Sequence, residues 1–172
     1  PFIARGLFAG NDGAFELEAD VAPENSDVVG ISLYNDKEER TVIYLDLKQK
    51  RIVMDRSESG LTDFGKLSNR SKKEQSADEA AGKGNRIQDR VVNFKNDFAL
   101  GTWAPLSLCG AEKRSYHLDI FVDKCSVELF VDGGRIAMTN LVFPTAPYNN
   151  IKVYAEGGKS EVKNMKVYKL GL

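Results

Sequence analysis

Residues 15–21 read Phe15-Glu16-Leu17-Glu18-Ala19-Asp20-Val21, an unbroken alternation of apolar and acidic side chains. A β-strand turns successive side chains to opposite faces, whereas a helix would spread these acids around its axis. The segment therefore reads as a strand with one dry face and one wet face. The same period recurs along the chain. Residues 28–34 form a second strand, followed by the polar turn Asn35-Asp36-Lys37-Glu38-Glu39. In residues 41–47, Ile43, Leu45 and Leu47 share one side while Val42, Tyr44 and Asp46 share the other. After Lys48-Gln49-Lys50, residues 51–55 read as the returning arm of a hairpin.

The second half is built alike. Residues 117–122 put Leu118, Ile120 and Val122 on one face, and residues 126–131 oppose Val127, Leu129 and Val131 to Glu128 and Phe130. Asp132-Gly133-Gly134 supplies residues that accept positive φ, so residues 135–139 should pair back as a tight hairpin. Residues 151–156, the turn Gly157-Gly158-Lys159 and residues 162–170 make a last hairpin. About ten short strands at this spacing argue for an all-β fold, an antiparallel two-sheet sandwich of the concanavalin or lectin type. The length of 172 residues suits a single module over residues 1–172.

Residues 66–90 break the rhythm. The run Ser68-Asn69-Arg70-Ser71-Lys72-Lys73-Glu74-Gln75-Ser76 is polar and charged, and residues 77–81 have the composition of a short helix. A solvated loop or insertion is expected there. Elsewhere the balance of 42% hydrophobic and 28% charged residues is that of an ordinary globular protein. A net charge of −1 offers no global field for nucleic acid or anionic lipid, so neither is an expected partner. No apolar run nears the roughly 20 residues that span a bilayer, and membrane insertion is not expected. The sequence starts at Pro1 and its methionines are Met54, Met138 and Met165, so a piece of a longer protein is expected.

Candidate chemistry is sparse. Two carboxylates about 5–10 Å apart can hydrolyse a glycosidic bond. Asp123 and Glu128 flank a bend, and Asp55 is a third carboxylate on the earlier hairpin. Acids at strand ends more often face water or pair with neighbours such as Arg56 and Lys124, so no catalytic residue is assigned. His117, the one histidine, has no serine or cysteine motif around it. Cys109 and Cys125 lack metal-ligand spacing; two buried free thiols are expected, with a single disulfide as the alternative, and no metal and no cofactor. Trp103, the one tryptophan, lies in an irregular stretch. It stacks on the apolar C–H face of a sugar, caps the core or meets a neighbouring domain; Tyr148 and Tyr34 are weaker candidates for the same stacking role.

The run His117-Leu118-Asp119-Ile120-Phe121-Val122-Asp123-Lys124-Cys125-Ser126-Val127-Glu128-Leu129-Phe130 resembles the "lrIFVDrsSvEvF" signature of glycoside hydrolase family 32, the levanase, inulinase and invertase type. Asp132-Gly133-Gly134, Met138-Thr139-Asn140 and Val142-Phe143-Pro144 continue it in the family's order. Upstream, Tyr44-Leu45-Asp46 and Met54-Asp55-Arg56-Ser57-Glu58-Ser59-Gly60 are similar to the family's hairpin, and the stretch from Asn93-Phe94-Lys95 to Ala104-Pro105-Leu106 to the segment that follows it. Cys125 stands where a serine or another small polar residue is usual.

The resemblance is to the family's C-terminal β-sandwich. It implies an N-terminal five-bladed β-propeller as partner, which carries the catalytic acids in "WMNDPNG", "RDP" and "EC". None of these motifs occurs in this sequence. The implied role is a non-catalytic accessory module that packs on a fructan-cleaving propeller. A fructan-binding module and an oligomerisation domain are the alternatives. Asp55, Arg56 and Ser57, together with Asp123, Ser126 and Glu128, are expected to form a hydrogen-bonded structural cluster or part of the interface. Enzymes acting on polymeric fructan meet it outside the cytoplasm, so a secreted, periplasmic or cell-surface location is implied.

Overall fold

The computed structural model describes residues 1–7, 13–62, 98–99, 101–111 and 113–171. Eleven strands lie among them: β1 (Phe2–Ala4), β2 (Phe15–Pro23), β3 (Val28–Tyr34), β4 (Arg40–Asp46), β5 (Arg51–Glu58), β6 (Thr102–Pro105), β7 (Tyr116–Val122), β8 (Ser126–Val131), β9 (Ile136–Leu141), β10 (Asn150–Glu156) and β11 (Ser160–Lys169). A 3-10 turn, Leu106–Cys109, follows β6. The strands form a six-stranded sheet, β1-β10-β3-β4-β5-β6, and a five-stranded sheet, β11-β2-β7-β8-β9, antiparallel throughout. Every strand read from periodicity is present. The two further strands, β1 and β6, are three and four residues long, too short to display a period. The segment at 66–90, with the short helix expected at 77–81, and Asn93-Phe94-Lys95 lie outside the described residues.

The alternation builds the core. Phe15, Leu17, Ala19 and Val21 of β2 point inward, as do Leu118, Ile120 and Val122 of β7 and Val127, Leu129 and Val131 of β8. From the other sheet Val29, Ile31, Leu33, Ile43, Leu45, Ile52, Met54, Ile151 and Val153 join the same buried cluster. Each large aliphatic side chain removed from water contributes about 1.5–3 kcal/mol, so this layer is the main source of stability. Asp132, Gly133 and Gly134 all have positive φ, which is the backbone the tight β8–β9 hairpin requires.

Three expectations are corrected by position. Trp103 is not in irregular chain but on β6. Cys125 is not buried: the β7–β8 hairpin closes over residues 123–125, and the turn holds it in solvent, while Cys109 is buried and both thiols are free. Tyr148 is only 2% exposed, so its ring belongs to the core and presents no stacking surface. Its hydroxyl lies 2.6 Å from the Ser59 carbonyl oxygen, to which it donates, and 3.1 Å from the Thr41 hydroxyl. Burial pushes its pKa up to about 12.

Three of the four sheet edges are poor templates for further pairing; the fourth, β9, is a regular six-residue strand. β1 and β6 are short, and the longer edge strand β11 is interrupted between Lys163 and Lys166, where Asn164 adopts φ 52°. A bulge and edge lysines are the usual guards against edge-to-edge association.

The outer face of the five-stranded sheet crowds like charges. Glu18 is paired directly with Asp119 across β2 and β7, and Glu16 joins them with carboxylate oxygens within 4.8 Å. Burial, then Asp119 and Glu18, push the Glu16 pKa up. The folded chain thus keeps Glu16 protonated to higher pH than the unfolded chain does. Its ionisation costs stability as pH rises through and above the ordinary carboxylate range. Glu16→Gln should therefore raise the melting temperature near pH 7 and leave it unchanged near pH 3, read by thermal denaturation. Tyr148→Phe strands the Ser59 carbonyl and is expected to cost roughly 1–3 kcal/mol in denaturant unfolding.

Candidate functional site

Antiparallel register makes the outer face of the six-stranded sheet a grid, because residues paired across strands point the same way. One row runs Tyr154, Gly30, Tyr44, Val53, Trp103 over β10, β3, β4, β5 and β6. To one side lies Glu156, Val28, Asp46, Arg51, Pro105, and to the other Ile3, Lys152, Ser32, Val42, Asp55. An aromatic row thus lies between two largely polar ones. A groove of about 720 Å³ opens over this face, its walls including Tyr34, Arg40, Tyr44, Asp55, Ser57 and Tyr154.

Gly30 shapes the floor. A Cβ built there would stand 2.6 Å from Cζ of Tyr154 and 2.7 Å from its Oη, so the ring lies over the glycine where any side chain would lift it. Burial, followed by Glu156, Tyr44 and Asp55, pushes the Tyr154 pKa up to about 12. Burial and Asp55 also raise that of Tyr44. Two neutral phenols therefore sit near one carboxylate. Asp55 Oδ1 accepts the Ser57 N–H at 2.8 Å, which ties the carboxylate to its own strand. Two ion pairs lie on this face: Arg40 pairs with Glu58, and Arg51 Nε lies 3.3 Å from Asp46 Oδ2. Arg51 also stands over the Trp103 ring at 5.8 Å, and Trp103 is 60% exposed.

Asp55 and Glu128 do not meet. Asp55 is in this groove, whereas Glu128 faces outward from the opposite sheet, across the apolar core, and Asp123 sits in the β7–β8 turn. A shared hydrolytic site for the three is excluded by that separation. Arg56, one residue on from Asp55, points the other way. It continues the inward series Ile52, Met54 to the end of the sandwich, where Nη1 donates to the Leu141 carbonyl oxygen at 2.9 Å. Leu141 is the cross-strand partner of Ser126, and Val142 N–H donates to the Cys125 carbonyl oxygen at 2.9 Å. The guanidinium also lies 4.1 Å from the centre of the Phe98 ring, which stacks on Phe143 at 5.9 Å. The Asp123 backbone N–H bonds to the Ser126 carbonyl, and Asp123 Oδ1 accepts the Lys124 N–H at 2.7 Å. Arg56 and the 123–126 turn thus grip the two sides of β9, while Asp55 and Ser57 belong to the groove. His117 is on the surface, with Nδ1 2.7 Å from Asp20 Oδ1.

The family model described as "Glycosyl hydrolases family 32 C terminal" matches residues 5–169. The chain belongs to this family. It is 27% identical over 161 residues to a levanase of Bacillus sp. (strain L7), covering 92% of this chain and 14% of that protein. A levanase of Bacillus subtilis (strain 168) is 24% identical over 170 residues, 97% of this chain and 20% of that protein. The chain therefore spans only a small part of these relatives. The exo-inulinase of Aspergillus awamori superposes with a TM-score of 0.67 at 20% identity, over 99% of this chain and 26% of that one, and shares the sandwich fold. In this glycosyl hydrolase family 32 C-terminal domain, the family-like blocks lie on β4–β5 and β7–β9 and frame the Arg56 junction.

Tyr44, Tyr154, Gly30 and Arg51 were not singled out from sequence as site residues. The available signal was a large aromatic ring at a wet position of a strand, as at Tyr44 opposite Ile43 and Leu45. Arg56→Ala removes a charged hydrogen bond and a ring contact, and roughly 1.5–3 kcal/mol of unfolding free energy should be lost. Arg56→Lys should restore little, since an ammonium does not reproduce the planar stack.

Proposed function

We propose that this chain is the non-catalytic C-terminal module of a fructan-hydrolysing glycosidase, packed on a catalytic β-propeller and secreted or displayed at the cell surface. The observation that carries the reading is coverage. A C-terminal family model takes up residues 5–169, while the chain covers only 14% and 20% of two matched levanases. What those enzymes need for hydrolysis beyond this module therefore lies in the rest of their chains. Within the described residues, the carboxylates considered for hydrolysis are split between opposite outer faces, which supports a non-catalytic role. Three of the four sheet edges, β1, β6 and β11, are short or bulged, which favours packing within one enzyme over self-association by strand addition there.

The isolated chain should release no fructose from levan or inulin under conditions where a complete levanase does. In the enzyme that carries it, Arg56→Ala should lower the melting temperature of the catalytic unit along with that of the module. Turnover by the isolated chain, or a catalytic unit whose melting ignores the substitution, would count against the proposal.

A further inference from the structure

The groove over the six-stranded sheet carries a set of side chains whose chemistry selects an occupant. Neighbouring strands are about 4.8 Å apart, so Tyr154, Tyr44 and Trp103, each two strands from the next, are spaced at roughly 10 Å intervals in one row. A chain molecule lying across the strands would meet an aromatic ring at every step of that length. Gly30 keeps the Tyr154 ring down on the sheet with Lys152 Nζ 5.8 Å from its centre, a flexible side chain that a ligand would displace. Trp103, 60% exposed, stands at the far end of the row with Arg51 over one face. On the flanks, Ser32, Asp55 and Ser57 offer hydroxyls and a carboxylate to a hydroxyl-rich ligand.

Charge excludes other polymers. The groove is lined by three basic side chains, Arg5, Arg40 and Lys152, and four acidic ones, Glu38, Asp55, Glu58 and Glu156. A near-balanced lining with an internal Arg40–Glu58 pair gives a polyanion no net attraction. A volume of about 720 Å³ lies within the usual range for ligand sites. Rings that stack on C–H faces, polar groups that bind hydroxyls and a near-balanced charge together describe a site for a neutral polysaccharide.

We propose that this face binds a fructan chain across its strands, with Tyr154, Tyr44 and Trp103 as stacking plates and Asp55 and Ser57 as hydrogen-bonding groups. The choice of fructan among neutral polysaccharides rests on the functional reading above; the binding of a neutral chain does not. Affinity electrophoresis of the 172-residue chain in gels containing levan, inulin or a mixed-linkage β-glucan tests both. Retardation by levan or inulin and not by the glucan is expected. Tyr154→Ala, Tyr44→Ala and Trp103→Ala should each weaken it roughly tenfold. Gly30→Ala, which displaces the Tyr154 ring without removing it, should also weaken binding with an unchanged circular dichroism spectrum. Arg56→Ala, at the sandwich end, should lower melting and leave fructan affinity intact, which separates this proposal from the packing role. No retardation by either fructan, or retardation that survives the combined Tyr44→Ala and Trp103→Ala change, overturns the proposal. Retardation by the glucan alone overturns the choice of fructan while leaving the family role standing.

Discussion

The inward side chains of two antiparallel sheets close on one apolar layer, and every other feature of the molecule is placed by what that layer leaves over. Because the strand period is two, burying Phe15, Leu17, Ala19 and Val21 sends Glu16, Glu18 and Asp20 to the opposite face. The same rule on β4 buries Ile43 and Leu45 and sends Val42, Tyr44 and Asp46 to the outer face. A slip of one residue in any central strand would exchange these sets. Register is therefore held by the cost of exposing the core, and the polar and aromatic rows outside are held with it.

The ends of the sandwich need other means, since the strands splay and the apolar layer thins. Tyr148 fills one such place as a ring in the core whose hydroxyl joins the Thr41 side chain to the Ser59 carbonyl. Arg56 fills another, following Ile52 and Met54 inward along β5 and closing on the Leu141 carbonyl of the facing sheet. Arg56 Nη1 thereby ties β5 to the facing sheet, although its Nε is buried without a hydrogen-bond partner among the described residues. Tyr148 ties the β9–β10 connection to the β4–β5 end of the six-stranded sheet. Their neighbours Asp55 and Ser57 alternate to the outer face. One short motif thus serves two separate regions.

Legibility followed the range of the interaction. The long strands could be read because alternation is local, as in residues 15–21 and 126–131. β6 could not, because four residues carry too little period, and Trp103 was accordingly read as lying in irregular chain. Cys125 was misread as buried because its neighbours resemble a strand, while the hairpin places it at the tip. For Tyr148 the difficulty was its setting outside any strand, where no period reports burial; only contacts with Thr41 and Ser59, 107 and 89 residues away, settle it.

The amino-acid sequence by itself determined the all-β class, the faces of the long strands and, through its ordered motifs, the family. These depend on neighbours in the chain. Only the tertiary structure decided that Tyr154, Gly30, Tyr44, Val53 and Trp103 form one row, because strand order β10-β3-β4-β5-β6 joins segments from both halves of the chain. It likewise decided that Asp55 and Glu128 lie on opposite sides of the core. Cross-strand pairing is a long-range choice made by burial of the whole layer, and no local pattern encodes which wet faces will end up side by side.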